Sequence, residues 1–207
     1  MPVHVVDHPV VQDALLALRD VRTPPEEFRR VAGRISLLVA AEALRELPRA
    51  AATVETPLGL ASGSRVSAEV VVVPVLRAGL GMLEAVLTLF PAARVGHIGL
   101  QRDERTAIAS QYYARLPQPL DGSYVLLVDP MLATGGSAVA GLELLREAGA
   151  TDVRLVCVVA APEGVDLVSR RFPDVTIYTP AIDRELNERK FIVPGLGDFG
   201  DRLYGTE

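Results

Sequence analysis

Residues 124–137 read YVLLVDPMLATGGS. The apolar run is continuous rather than alternating, the mark of a strand buried on both faces. Its end delivers one carboxylate, Asp129, into a turn of small and hydroxyl-bearing residues, Thr134, Gly135, Gly136 and Ser137, and helical periodicity follows. Strand, glycine-bearing turn and helix together suggest a parallel sheet with crossover helices. The glycines let main chain approach an anion, the hydroxyls can donate to it, and a helix start points free amides at it. Asp129 can meanwhile accept from two neighbouring sugar hydroxyls. The stretch therefore suits a ribose 5-phosphate; a strand end followed by an ordinary capped helix is the alternative.

Outward from this stretch, the pattern predicts strands at 69–76, 94–100, 123–129, 153–160 and 175–179, and helices at 79–90, 135–148 and 163–171. Val-rich strands alternating with amphipathic segments give an α/β fold: a mainly parallel, doubly wound sheet with helices on both faces. The first 50 residues read helical, with Val10, Val11, Ala14, Leu15 and Leu18 on one stripe. A second helix opens at TPPE, where Thr23 is placed to cap, Pro24 to start the helix and Glu26 to close a capping box. Phe28, Val31, Ile35, Leu38, Val39 and Leu44 form its expected inner face. Residues 101–122, QRDERTAIASQYYARLPQPLDG, are a polar insertion readable as an arm or lid. One domain over 1–207 is expected: N-terminal helices (1–50), core sheet (69–180) carrying the arm, and a C-terminal segment (181–207).

Composition narrows the function. At 207 residues and 49% hydrophobic the chain can bury a large core, and its formal charge of −5 argues against duplex DNA or an anionic membrane surface as partner. The single cysteine, Cys157, lies in an apolar run, which allows no internal disulfide and fits a buried strand residue in a reducing compartment. No secretory signal is read at the N-terminus, and Arg77 and Glu84 interrupt the apolar stretch at 70–90, so a cytoplasmic location is expected. His4, His8 and His97 show no metal-ligand spacing, and no protein metal site is expected. No lysine follows the glycines as a P-loop requires, and GLGDFG at 195–200 satisfies GxGxxG with too little chain after it for a crossover unit.

DPMLATGGS resembles the phosphoribosyl-diphosphate (PRPP) motif of type I phosphoribosyltransferases, and Pro130 after Asp129 is similar to the uracil-specific branch. The resemblance extends in order through HPVVQ, PVLRAGLGM, LQRDERT, YYARLP, VAAPEG and FIVPGLGDFGDRLYGT. It implies transfer of ribose 5-phosphate from PRPP to N1 of uracil. It further implies PRPP contacts at Arg77, Arg102, Asp129, Pro130, Met131, Leu132, Ala133, Thr134, Gly135, Gly136, Ser137 and Asp198. Ile192, Gly197, Asp198 and Phe199 are implied as the base-binding positions in the C-terminal segment, and Arg77, Arg102, Asp129 and Asp198 as the catalytic set. Mg²⁺ bound mainly through the diphosphate is the implied cofactor. Homodimers or larger homo-oligomers are implied, and GTP is a candidate effector because some relatives respond to it.

Arginine suits the diphosphate because its fork donates paired hydrogen bonds and keeps its charge; surface salt bridges are the plainer role for Arg77 and Arg102. Phe199 departs from relatives with alanine there, so its ring either enters the base site or turns away from it. Asp198 as general base is left open, and Tyr112 and Tyr113 suit a lid, an interface or the core equally. Three rivals remain: a purine or orotate enzyme of the same family, a PRPP-sensing regulator without turnover, and a dinucleotide oxidoreductase.

Overall fold

The computed structural model describes residues 3–102 and 109–206, with backbone alone at 102, 109 and 110. Along the chain lie β1 (Val3–Val5), α1 (Pro9–Arg19), α2 (Pro25–Ala43), the pair β2 (Arg49–Thr56) and β3 (Gly59–Val66), then β4 (Val70–Leu76) and α3 (Leu80–Leu89). β5 (Arg94–Val95), β6 (His97–Arg102), β7 (Ala109–Arg115), β8 (Tyr124–Val128), β9 (Met131–Leu132) and α4 (Gly136–Glu147) follow. The remainder comprises β10 (Asp152–Val156), β11 (Val159–Ala160), α5 (Pro162–Arg171), β12 (Thr176–Thr179), β13 (Glu185–Leu186), β14 (Ile192–Val193) and α6 (Phe199–Tyr204).

The main sheet has the order β1-β12-β10-β8-β4-β6-β7, with β5 also on β4. Its pairs are parallel except β6–β7. Both faces are covered, as the unbroken apolar runs require. Val70, Val72, Leu126 and Val128 pack with α1, α2 and α3 into one core. Val71, Val73, Val125 and Leu127 point the other way, into a core shared with α4 and α5. From β4 the chain winds to one side through α3, and from β8 to the other through α4, so the direction reverses between these neighbouring strands. Ligand crevices form at such a switch point, beyond the carboxyl ends.

Several expectations change. The single strand expected over 94–100 is interrupted at Gly96, opposite the stretch of β4 holding Pro74, which has no N–H for a ladder. The strand expected over 153–160 divides after Val156, and β11 leaves the main sheet to pair with β9. The TPPE capping box does not form: Pro24 is the N-cap, without a side-chain cap bond, and the Thr23 hydroxyl donates instead to the Ala17 carbonyl at 2.6 Å. Val10, expected on the buried stripe of α1, is exposed. The polar insertion contains a regular strand, β7, paired antiparallel to β6. β1 at the sheet edge and the β2–β3 hairpin are additions that the hydrophobic pattern did not announce.

Candidate active site

The site starts where β8 ends. Register pairs Pro74 with Val128, so Asp129 and the Leu76-Arg77-Ala78 turn leave adjacent strand ends. Asp129 is anchored by its N–H, which donates to Val156 O at 3.1 Å, and its Oδ1 lies 3.4 Å from Met131 N. Beyond it the loop is stiffened by β9–β11 pairing. Val158 N donates to Pro130 O at 2.9 Å and Ala161 N to Leu132 O at 2.8 Å, which fixes the run from Pro130 to Ala133 as a wall.

Gly135 then takes φ +84° as the N-cap of α4, a left-handed conformation that only glycine adopts freely. Packing also requires glycine at its neighbour: a Cβ on Gly164 would lie 2.5 Å from Ala133 O. No acidic residue occupies the first turn of α4, and its N-cap has no carboxylate to compete with an incoming anion. Thr134, Gly136 and Ser137 complete the turn, partly exposed.

The opposite wall comes from the C-terminal segment. A cavity of about 280 Å³ is lined by Asp129, Met131 and Ala133 on one side and by Ile192, Gly197, Asp198 and Phe199 on the other. Ile192 is held by the β13–β14 pair and Gly197 turns at φ +83°. Asp198 is the N-cap of α6, its Oδ1 accepting from Asp201 N at 2.9 Å. The Phe199 ring is 1% exposed and packs edge-on against Phe28 with centroids 5.2 Å apart. The ring therefore belongs to the core.

Arg77 is exposed at the rim. Its guanidinium is 3.2 Å from Asp201 Oδ1 and 5.9 Å from the Tyr204 ring centroid, an exposed pairing weak enough to exchange for a ligand. Its turn is tightly packed: a Cβ on Gly79 would sit 2.5 Å from Val128 O. Arg102 ends β6, with its side chain outside the described residues. The lid reading of 101–122 falls partly on 103–108, also outside them. Tyr112 and Tyr113 are exposed, which removes the core alternative, and the Tyr112 ring covers Gly99.

The sequence reading missed Ala78, Arg189 and Lys190, which also line the cavity. The NERK run carried the signal, as cations immediately before FIVPG. Asn187 shapes this turn, its Oδ1 accepting from Arg189 N at 3.0 Å and Phe191 N at 2.9 Å. Among the described residues no group of three or more His, Cys, Asp or Glu is gathered for a metal, and no helix is long and apolar enough to cross a membrane.

A family model described as uracil phosphoribosyltransferase matches residues 5–206. The chain belongs to the uracil phosphoribosyltransferase family. Its relatives include the uracil phosphoribosyltransferase of Dictyoglomus turgidum, 50% identical over 204 residues covering 98% of this chain and 99% of the relative. That of Shouchella clausii is 49% identical over 206 residues, covering 99% of both. A solved protein structure from Aquifex aeolicus, 36% identical, superposes with a TM-score of 0.95 over 100% of this chain and 99% of its own. A hypoxanthine-guanine phosphoribosyltransferase from Bacillus anthracis, 14% identical, gives a TM-score of 0.52 over 76% of this chain and 80% of its own, a likeness of fold alone. The doubly wound core is thus the type I phosphoribosyltransferase fold, and in this uracil phosphoribosyltransferase family member Asp129, Met131 and Ala133, on the loop that runs into the glycine turn, share one crevice with Ile192, Gly197, Asp198 and Phe199.

Proposed function

We propose that the protein transfers ribose 5-phosphate from PRPP to N1 of uracil, giving UMP and diphosphate. The observation that carries this reading is the shared cavity, lined by Asp129, Met131 and Ala133 of the loop after β8 together with Ile192, Gly197, Asp198 and Phe199 of the C-terminal segment. In this reading Thr134, Gly135, Gly136 and Ser137 hold the 5-phosphate at the start of α4, and Asp129 accepts from the two ribose hydroxyls. Gly197, Asp198 and Phe199 match the base's carbonyl acceptors and N3 donor with main-chain groups.

The bond from C1′ to the diphosphate oxygen breaks as the N1–C1′ bond forms, and the N1 proton leaves to solvent or an adjacent acceptor. Positive charge develops on the sugar and negative charge on the departing diphosphate. Arg77 and Arg102 are assigned to that negative charge. Asp198 is assigned a framing role, because its Oδ1 is engaged as the α6 cap. With Pro130 following Asp129, the donor set on this loop is one carboxylate, which fits a Mg²⁺ ion carried in on diphosphate oxygens and water beside Asp129. Bound there, the ion would offset charge on the leaving group.

A homo-oligomer belongs to this reading, supported by Leu58 and Leu60 standing exposed on the β2–β3 hairpin; sedimentation velocity reads it directly. GTP is carried as a candidate effector on family grounds, and its addition to the assay tests it. The deciding experiment incubates the protein with PRPP, Mg²⁺ and a panel of bases and follows diphosphate release. Uracil should react, and cytosine should react about 10⁴-fold less well, since it reverses two hydrogen-bonding roles and leaves buried partners unpaired. Comparable rates with both, or turnover with a purine or orotate alone, overturn the reading.

A further inference from the structure

The turn that faces the base is glycine-rich and cannot hold its own shape: Gly195 and Gly197 take φ +59° and +83°. Side chains from distant elements hold it. Asp183, which follows β12, forms paired hydrogen bonds with Arg19, the last residue of α1, at 2.6 and 2.7 Å. The same carboxylate accepts from Gly195 N at 2.8 Å, while Arg19 Nη1 donates to Gly195 O at 2.7 Å. Both main-chain polar groups of Gly195 are thereby fixed by one ion pair. Arg202 holds the next carbonyl, Leu196 O, at 2.7 Å and ties it to Asp20 O at 2.7 Å beyond α1.

The pair is well enclosed, with the Asp183 side chain 6% and the Arg19 side chain 20% exposed. A charge taken out of water at that depth is tolerated only when its hydrogen bonds are made, so the geometry of the pair is stiff. Asp183 also reaches the other wall of the cavity. Its N–H donates to Ala160 O at 2.8 Å, and Ala160 pairs with Leu132 in the β9–β11 ladder that stiffens the wall beside Asp129. One residue therefore links the loop assigned to the sugar with the loop assigned to the base.

We propose that the Arg19–Asp183 pair is a positioning device for uracil: it sets where Gly197, Asp198 and Phe199 stand relative to the sugar, and so governs base affinity and base choice. This rests on the uracil transfer reading given above. Neither residue lines the 280 Å³ cavity, so both act through Gly195 rather than by touching substrate.

The test compares Asp183→Asn and Arg19→Lys with the natural protein in steady-state assays varying uracil and PRPP separately, alongside thermal melts. Arg19→Lys keeps the charge and loses the fork, so it retains the buried ion pair where Asp183→Asn does not. Displacement of a base-reading turn by about 1 Å costs up to roughly 100-fold. KM for uracil should rise about 10- to 100-fold in both variants while KM for PRPP stays within about threefold, and the uracil-over-cytosine ratio should fall with it. Arg22→Ala, which removes an exposed ion pair to Asp20 on the same turn and touches no part of the loop, should leave both KM values unchanged.

Unchanged KM for uracil in the two variants overturns the proposal, as does a loss confined to kcat that tracks the folded fraction, or loss of folding in both. A natural protein that releases no diphosphate with uracil would instead sink the transfer reading itself, so the two failures are told apart.

Discussion

Asp129→Asn is the sharpest single perturbation of the proposed sugar site. It keeps side-chain volume, and the amide oxygen can still accept from Met131 N, whose present bond is long at 3.4 Å, so that contact should change folding by less than about 1 kcal/mol. Function should change more. A hydrogen bond to a carboxylate contributes about 1.5–3 kcal/mol and a neutral one about 0.5–1.5, a difference near 1–1.5 for each ribose hydroxyl. Two hydroxyls give about 2–3 kcal/mol, which at 1.4 kcal/mol per decade is roughly a 30- to 150-fold loss in kcat/KM for PRPP. The assay is initial-rate diphosphate release at saturating uracil with PRPP varied, beside a melting curve. A kcat/KM within about threefold of the natural protein, with the fold intact, would refute the assignment of Asp129 to the sugar.

Other expected outcomes concern the scaffold. Gly33→Ala should raise stability by about 0.5–1 kcal/mol, because the residue lies inside α2 and an added Cβ meets nothing within 4 Å. Gly79→Ala should instead cost several-fold more than that gain in a urea titration, since its Cβ would lie 2.5 Å from Val128 O and 2.6 Å from Val75 O. Burial pushes the Cys157 thiol up to about 12, so iodoacetamide at pH 8 should leave the native protein unlabelled and modify it once urea unfolds it; rapid native labelling would contradict this. Burial likewise pushes the Tyr124 hydroxyl up to about 12, partly opposed by Arg154 over its ring. Both groups ionise earlier in the unfolded chain, from 9.0 for the thiol and 10.0 for the phenol. Their stabilisation is thus complete below pH 9.0 and lost as pH climbs toward 12, so the urea midpoint should fall across that window, with a smaller fall in Cys157→Ala.

What could be read from the residues alone was whatever rests on a local pattern. The continuous apolar runs of β4 and β8 announce a sheet covered on both faces, and the glycine-bearing turn after Asp129 announces the start of α4 through residue type and spacing. The β2–β3 hairpin was invisible for the converse reason: AAATVETPLGLASGS is built of small residues, exposed on both faces, and a strand with no buried face has no period-2 signal. Thr23 misled because its spacing to Glu26 satisfied the box, while a hydrogen bond back to Ala17 claimed its hydroxyl. Arg19, Asp183 and Arg202 carry no local mark at all, since their partners lie far away in the chain.

Phe199 shows why the base wall, though read from a motif, takes its precision from the whole fold. Its ring packs against Phe28 of α2 and comes so near α3 that a Cβ on Gly81 would stand 3.2 Å from it. The same residue is also among those lining the cavity. A side-chain ligand could swing to suit a different base, but main chain tied to a packed ring, to the Asp198 cap and to the Gly195 anchors has no such freedom. In the proposed reading, choice between uracil and cytosine would depend on the position of backbone donors and acceptors, and that position is set by the contacts among α1, α2, α3 and α6 that stabilise the domain. Substitutions that loosen this packing should therefore relax base selectivity before they abolish PRPP binding, because the loop after β8 is held separately by its own ladder with β11.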